Sequence, residues 1–152
     1  MSKITPCLWV EDDLQEIFDY YKSIFPNVQL ESMNKMPDGS TITAIFEIEG
    51  QRFMALHGGP MFKFTEAVSF YVACKDQGEA DYYWDRLTAD GGEESQCGWL
   101  KDKYGLSWQI VPAEFEEMMA GDNPAKVQRM IDAMMQMQRL DVAKLRAAYE
   151  GT

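Results

Sequence analysis

Residues 4–26, ITPCLWVEDDLQEIFDYYKSIFP, predict a short strand that runs directly into a helix. The apolar run 4–10 is typical of a strand, and Asp12 or Asp13 then supplies the oxygen that caps a helix N-terminus. Pro26 ends the helix. The apolar side chains between these limits fall at helical spacing: Leu14, Ile17, Phe18, Tyr21 and Phe25. A strand followed by a helix is therefore the opening unit of the fold.

Three further strands follow this helix. Residues 28–36 have an extended pattern, Pro37-Asp38-Gly39 is a turn signal, and apolar residues alternate with polar ones over 41–48, as in a half-buried strand. Glu49-Gly50 then turns the chain into a last strand at 51–57. The order of elements in this first half is βαβββ.

The same pattern then starts again. Residues 67–74, AVSFYVAC, predict a strand, and a shift of 63 residues superposes the predicted helix cap Asp13 on Asp76. A second correspondence joins the turns at Gly50 and Gly105, each followed three residues later by an aromatic side chain that enters a strand. Two correspondences in the same order indicate a duplicated module.

A helical tail follows Pro112. Asp122-Asn123-Pro124 is predicted to form an N-terminal cap with proline at the first turn, and Asp141 is predicted to cap a last helix. The sequence therefore predicts an α+β fold in one domain that spans residues 1–152. Its parts are a first βαβββ half, a second half and a C-terminal helical extension, over 1–60, 61–112 and 113–152.

Composition excludes several classes of function. The net charge of −11 and the sequence pI near 4.4 would repel a nucleic acid backbone. No stretch approaches the roughly 20 apolar residues that cross a bilayer, and the N-terminus lacks the layout of a secretory signal. Cys7, Cys74 and Cys97 form no C-x-x-C pair, which argues against a disulfide framework and a zinc knuckle. We expect a cytoplasmic protein without nucleic acid or membrane partners.

Several phrases carry a resemblance to a known family. They are PCLWVEDD (6–13) with FDYYKSIFP (18–26), FMALHGGPMFKFTEAVSF (53–70), EESQCGWLKDKYGLSWQIVP (93–112) and KVQRMIDAMMQMQRLDVAKLRAAYEG (126–151). Over essentially its whole length the chain resembles the PhnB-like, or 3-demethylubiquinone-9 3-methyltransferase-like, domains of the vicinal oxygen chelate superfamily, which includes glyoxalases, extradiol dioxygenases and bleomycin-resistance proteins. The resemblance implies a homodimer whose strands form curved half-barrels, each cupping a small ligand.

Metal-using members of that superfamily take ligands from the first and last strands of each half. The corresponding positions here are Pro6, Met54, Ser69 and Gln109. Proline has no donor atom, and the methionine thioether is soft and neutral, so this set does not suit a hard divalent ion. We predict neither a metal nor a cofactor.

The methyltransferase label would require a site for S-adenosylmethionine. Common enzymes of that kind hold the cofactor on a glycine-rich turn between a strand and a helix. Gly58-Gly59 instead lies in a loop before Pro60, and Gly91-Gly92 follows a helix. The residues therefore do not predict methyl transfer.

Strand alternation around the metal position predicts the lining of the cup. Its members are Leu8, Met54, Leu56, Ser69, Tyr71 and Gln109. Trp99 and His57 are placed at its mouth. Such a lining suits a small hydrophobic or aromatic molecule that is oriented by a few hydrogen bonds. The tryptophans near strands have a second interpretation as core residues.

Candidates for acid–base or nucleophilic chemistry are few. His57 is the single histidine and ends a strand, where a hydrogen-bonded structural role is the alternative. Cys97 has a suggestive setting before Gly98 and Trp99, and Tyr71 is a third candidate. The paired carboxylates at 12–13, 93–94 and 116–117 are interpreted as caps, turns or solvated faces.

Three functions stay open at this stage. The first is a homodimeric, metal-independent domain that binds a small molecule, and the second is an enzyme that uses His57, Cys97 or Tyr71. The third is a protein-interaction module that uses the helical tail, which carries four methionines between 130 and 137. Flexible thioethers also serve as core filler, which is the alternative interpretation of that tail.

Overall fold

The computed structural model describes residues 2–152 and contains two four-stranded mixed sheets that do not close. The first half comprises β1 (Cys7–Val10), α1 (Leu14–Ile24), β2 (Val28–Lys35), β3 (Thr41–Ile48) and β4 (Gln51–His57). The second comprises β5 (Ser69–Cys74), α2 (Gln77–Thr88), β6 (Glu93–Glu94), β7 (Trp99–Lys101) and β8 (Ser107–Pro112). The tail comprises α3 (Ala113–Met119), α4 (Pro124–Met134) and α5 (Val142–Glu150).

Both sheets have the same topology. Their strand orders are β1-β4-β3-β2 and β5-β8-β7-β6. In each sheet the first and last strands of the module pair in parallel, and the remaining neighbours pair antiparallel. The predicted α+β class, with two βαβββ modules and a C-terminal helical extension, is therefore confirmed.

The chain divides into two compact units. The first ends at Lys63, and the second runs from Phe64 to Thr152 and includes the tail. The predicted boundary at residue 60 lies three residues before this division. Within residues 2–152, the helices are all too short or too polar to cross a membrane.

The core of the first unit lies between α1 and one face of its sheet. The side chain of Asp13 accepts hydrogen bonds from the backbone of the first helical turn, as a helix cap does. Tyr21 stacks on Phe46, with ring centroids 6.5 Å apart, and Phe46 stacks on Phe53 at 6.1 Å. The helix stripe predicted from the sequence is the one that is buried.

The second unit builds an equivalent core under α2. Asp76 caps this helix, and the predicted stripe is buried: Ala80, Tyr83, Trp84 and Leu87. The indole N–H of Trp84 donates to Glu94 at 2.6 Å. Glu94, Leu100 and Trp108 lie opposite one another on neighbouring strands, so this row of the sheet faces α2.

The tail packs on the other face of the second sheet. Val111 of β8 forms a buried cluster with apolar residues of the tail, namely Met118, Met130, Leu140 and Leu145. Two backbone hydrogen bonds hold the tail to the loop before β7, because Met137 accepts from Cys97 and Gln138 accepts from Gly98, each at 2.8 Å. The tail is therefore part of the structure of the second unit.

Candidate functional site

Each sheet has one face that is turned away from its own helix, and we call these the first and second open faces. The first open face carries half-buried or exposed side chains from three strands: Cys7, Trp9, Thr43, Ile45, Met54 and Leu56. Trp9 donates its indole N–H to the carbonyl of Gly59 at 2.9 Å and packs edge-on against Phe62. This face is mostly apolar.

The second open face is more polar. It carries Ser69, Tyr71, Trp99, Lys101, Ser107 and Gln109. Gln109 lies between Tyr71 on β5 and Trp99 on β7, and its amide donates to the hydroxyl of Ser69 at 3.0 Å. The predicted ligand residues of the second half therefore lie together on one surface.

The structure corrects the prediction for Leu8. Leu8 is buried and pairs with Ala55, so it faces α1, whereas Met54 and Leu56 pair with Cys7 and Trp9 on the open face. Side chains alternate along a strand, and a register error of one residue moves each of them to the opposite face.

The face of Leu8 was predicted wrongly because the connection between β1 and α1 is one residue longer than the connection between β5 and α2. The last helix-facing residue of β1 is Val10, three positions before the cap Asp13. The equivalent residue of β5 is Cys74, only two positions before Asp76. The caps are related by a shift of 63 residues, but the strands are related by a shift of 64.

The register shift also changes which residues occupy the four positions that correspond to the metal ligands of the superfamily. Cys7 lies opposite Met54, and Tyr71 lies opposite Gln109, so Cys7 and Tyr71 replace Pro6 and Ser69. A thiol, a thioether, a phenol and an amide do not form the carboxylate and imidazole set that suits a hard divalent ion. Across residues 2–152, no three His, Cys, Asp or Glu side chains are grouped to hold a metal ion. The donor set does not fit the metal that the resemblance implies.

Tyr71 has an unexpected partner from the tail. Its hydroxyl donates to Oε1 of Glu116 in α3 at 2.9 Å. Burial, reinforced by the hydrogen bond and the negative charge of Glu116, raises the pKa of Tyr71 well above its ordinary value. Tyr71 therefore stays protonated near neutral pH, where it can donate a hydrogen bond but does not act as a base. The sequence offered no signal for Glu116, which appeared to belong to a solvated face.

The other two catalytic candidates lie in separate units. His57 ends β4, is exposed, and its Nδ1 lies 3.1 Å from the carbonyl of Asp12, an arrangement that orients the ring by a backbone contact. Cys97 has a left-handed backbone, with φ of 61°, and its Sγ lies 3.7 Å from Sδ of Met135. A catalytic role for either residue stays a hypothesis.

Cys74 is the buried thiol of the second unit. Burial, with the negative charge of Glu79 as the next cause, raises its pKa to about 12. The Cys74 thiol is therefore protonated at neutral pH and unsuited to nucleophilic attack.

The cavities of the second unit include two that lie beside its sheet and helices. One of about 150 Å³ lies at the edge of the second open face, beside Trp99, Lys101 and Ser107. The other, of about 730 Å³, lies between α2 and residues 136–144. Arg139 on this second cavity is neutralised by ion pairs with two carboxylates of α2. Neither cavity is evident in the sequence pattern.

The connections between strand and helix do not suit S-adenosylmethionine. Glu11-Asp12-Asp13 joins β1 to α1, and Lys75-Asp76 joins β5 to α2, so neither turn contains glycine. Gly58-Gly59 follows β4, and Gly91-Gly92 lies between α2 and β6, as predicted. A helix N-terminus that approaches a cofactor through a glycine-rich turn is not formed by the described residues.

The sequence and fold of this chain are similar to those of known proteins. The family model described as 3-demethylubiquinone-9 3-methyltransferase matches residues 2–111. The chain is similar to the PhnB protein from Bacillus cereus at 31% identity, over 73% of this chain and 99% of that one, with a TM-score of 0.66. It is also similar in fold to protein PA1353 from Pseudomonas aeruginosa, at 17% identity over 74% and 98% of the two chains, with a TM-score of 0.61.

The fold is also similar to that of a fosfomycin resistance protein. The fosfomycin resistance protein FosX from Listeria monocytogenes, in complex with Mn(II) and sulfate, matches at 18% identity over 70% and 88% of the two chains, with a TM-score of 0.53. No protein of curated function matches the chain. The family match ends one residue before the end of β8, so the helical tail lies outside it, whereas the sequence resemblance was expected to include the tail.

Proposed function

This chain belongs to the 3-demethylubiquinone-9 3-methyltransferase family of the vicinal oxygen chelate superfamily, and on that premise we propose that it is a homodimeric domain that binds a small, largely apolar molecule. The proposal places the ligand on the open faces and requires neither a divalent metal nor S-adenosylmethionine. It also places the protein in the cytoplasm.

The second open face is the observation that carries this proposal. Gln109 is half-buried and held by Ser69, and Trp99 and Tyr71 flank it on the neighbouring strands. Ligand sites typically combine apolar and aromatic surface with a few fixed polar groups. Here the Gln109 amide, the Ser69 hydroxyl and the Tyr71 hydroxyl are the polar groups, and Trp99 is the aromatic surface.

The first open face supports the apolar character of the ligand. Met54 and Leu56 lie beside each other across from Trp9 and Ile45, and these side chains are only half buried. A thioether and a branched aliphatic group adapt to apolar shapes but provide no charge. A strongly charged ligand would find no counter-charge among them.

The donor chemistry supports binding without a metal. Cys7, Met54, Tyr71 and Gln109 lack a carboxylate or imidazole, although the similar FosX protein holds Mn(II). The absence of a glycine between strand and helix at either helix N-terminus argues against methyl transfer from S-adenosylmethionine.

Equilibrium binding of a panel of small aromatic and alicyclic molecules tests the proposal. Trp9 and Trp99 lie on the open faces, so tryptophan fluorescence should change on binding. We expect Gln109→Ala to weaken the best ligand roughly tenfold, as for the loss of one buried hydrogen bond. Gln29→Ala, on exposed β2, should leave it unchanged. Equal affinities in both variants, or a fluorescence response lost only on metal removal, would contradict the proposal.

The Tyr71–Glu116 hydrogen bond favours a metal-independent enzyme as the second candidate. The raised pKa makes this phenol a weaker acid than an ordinary tyrosine, so in such an enzyme it would orient a substrate on the same face by a hydrogen bond rather than transfer a proton to it. If Tyr71→Phe abolishes the turnover of a bound ligand but changes the affinity for that ligand little, the enzyme function is favoured over simple binding.

The interaction-module hypothesis stays a prediction with weaker support. Met130 is buried in the cluster with Val111, so part of the methionine stripe fills the core of the second unit. Met135 remains exposed.

A further inference from the structure

The smaller cavity of the second unit contains a buried polar group without a partner. Ser107 is 1% exposed and lines the cavity of about 150 Å³, and its hydroxyl oxygen makes no hydrogen bond. A buried hydroxyl that lacks a partner is costly, and such groups in native proteins call for an explanation such as a ligand or water. Ser107 therefore marks this cavity as a place where a polar group binds.

The position of the cavity connects it to the proposed ligand surface. Ser107 pairs with Ser69 on β5 and with Lys101 on β7, one step along the strands from Gln109 and Trp99. The volume is about five times the roughly 30 Å³ that one water occupies in the liquid, so the cavity has room for more than one heavy atom. It forms the polar end of the second open face.

The charges around the cavity are mainly negative. Lys101 forms an ion pair with Glu66, and Glu93, which lies opposite Lys101 on β6, further favours the protonated lysine. Glu94 also lines the cavity, but its carboxylate accepts from the indole N–H of Trp84 on the side of the sheet that faces α2. On the open face, the two carboxylates of Glu66 and Glu93 against the one ammonium of Lys101 leave a net charge of −1, which opposes an anion and attracts a cation.

Trp99 adds an aromatic surface at the same cavity. It is half-buried, lines the cavity and lies opposite Gln109 on the open face. Tryptophan is the aromatic side chain that attracts cations most strongly.

We propose that this cavity binds the ammonium group of a small primary amine whose apolar body lies on Trp99 and the second open face. The ammonium has three donors, one for the Ser107 hydroxyl and the others for carboxylates at the rim. This inference rests on the proposed function and assigns the chemical class of its ligand.

Three probes with one apolar body test this assignment. Phenethylamine, 2-phenylethanol and phenylacetate have similar shapes but carry a positive, a neutral and a negative polar end at pH 7. Isothermal titration should give phenethylamine at least tenfold tighter binding than 2-phenylethanol, and phenylacetate should bind most weakly. Raising the salt concentration should weaken the amine and leave the alcohol unchanged, because only the amine is held by charge.

Variants separate the cavity from the apolar surface. Glu93→Gln removes one attracting charge and should weaken the amine several-fold without changing the alcohol. Ser107→Ala should weaken the amine roughly tenfold and also raise the melting temperature of the free protein, because it removes a buried hydroxyl without a partner. Ser23→Ala, on the exposed surface of α1, is the matched control and should change neither quantity.

The outcomes distinguish the inference from the function on which it rests. Equal binding of all three probes would retain an apolar site and overturn the ammonium pocket. Tighter binding of phenylacetate would overturn it in favour of an anion that displaces Glu66 from Lys101. If no probe binds and Ser107→Ala is neutral, the cavity holds water only and the inference fails, while Gln109→Ala still tests the proposed function with other ligands.

Discussion

The indole N–H of Trp108 donates to Oδ2 of Asp102 at 2.9 Å, and both side chains are buried. The other carboxylate oxygen accepts from the backbone of Tyr104 and Leu106, so Asp102 holds the turn between β7 and β8. This turn aligns the two strands that carry Trp99 and Gln109.

Replacing Asp102 should therefore destabilise the second unit. Asp102→Ala leaves three donors without this acceptor, and hydrogen bonds to charged groups contribute about 1.5–3 kcal/mol each, so we expect a loss of at least about 3 kcal/mol in the free energy of unfolding. Urea denaturation measures it. Asp122→Ala, at an exposed loop position, should change this free energy by less than about 0.5 kcal/mol. Similar values for both variants would refute the role of Asp102.

The methionines of the tail should separate into core and surface residues. Met130 is fully buried, whereas Met135 is 56% exposed. Met130→Ala should lower the free energy of unfolding by about 2–5 kcal/mol because it leaves a cavity, and Met135→Ala by less than about 0.5 kcal/mol. Thermal and urea denaturation of the pair measure the difference. A Met130→Ala protein as stable as the parent would show that the tail does not pack on β8.

Alkaline pH should destabilise the fold partly through Cys74. Its pKa rises from an ordinary 9.0 to about 12, so the folded state holds the proton more tightly than the unfolded state. The contribution of the protonated Cys74 thiol to the free energy of unfolding is fully present below pH 9 and is lost as the pH rises towards 12. Under reducing conditions, the free energy of unfolding should fall less steeply between pH 8 and 10.5 in Cys74→Ala than in the parent. Parallel pH profiles would contradict this account.

The position of Trp9 should depend on Gly58. A Cβ atom at Gly58 would lie 2.4 Å from the Trp9 ring, so Gly58→Ala must displace the indole from its hydrogen bond with Gly59. We expect a shift in the Trp9 fluorescence, measured as the difference from the same proteins with Trp9→Phe. Gly78→Ala is the matched control, because the new Cβ there meets only ordinary contacts. An unchanged Trp9 signal in Gly58→Ala would contradict the packing of the first open face.

Local signals were sufficient to predict most of the fold. The caps Asp13 and Asp76, the helical apolar stripes and the turns at Gly50 and Gly105 depend on residues close in sequence, and these elements form as predicted. The repeated order of elements then leads to the same strand order in both sheets.

The assignment of side chains to faces was less reliable. One additional residue between β1 and α1 reverses the face of Leu8, because alternation has a period of two while a loop accepts an insertion freely. In the second unit, Ser69, Tyr71 and Gln109 have the expected parity and lie on a common face, and their role in ligand binding stays a prediction.

The polar contacts of the site depend on distant parts of the chain. Glu116 reaches Tyr71 across 45 residues, and nothing in its neighbourhood in the sequence distinguishes it from a solvated helix residue. Ser107 similarly gains its significance only from burial beside the Glu66–Lys101 ion pair. Such contacts follow from tertiary packing, which local patterns do not encode.

Native mass spectrometry of the purified protein, with elemental analysis of the same sample, tests the central claim of metal-independent ligand binding most directly. We predict a mass of two 17.4 kDa chains, no stoichiometric divalent metal and a retained small molecule or binding of an added one. One divalent metal ion per chain, required for the ligand to remain bound, would contradict metal-independent binding and would show that donor groups on the open faces hold a metal.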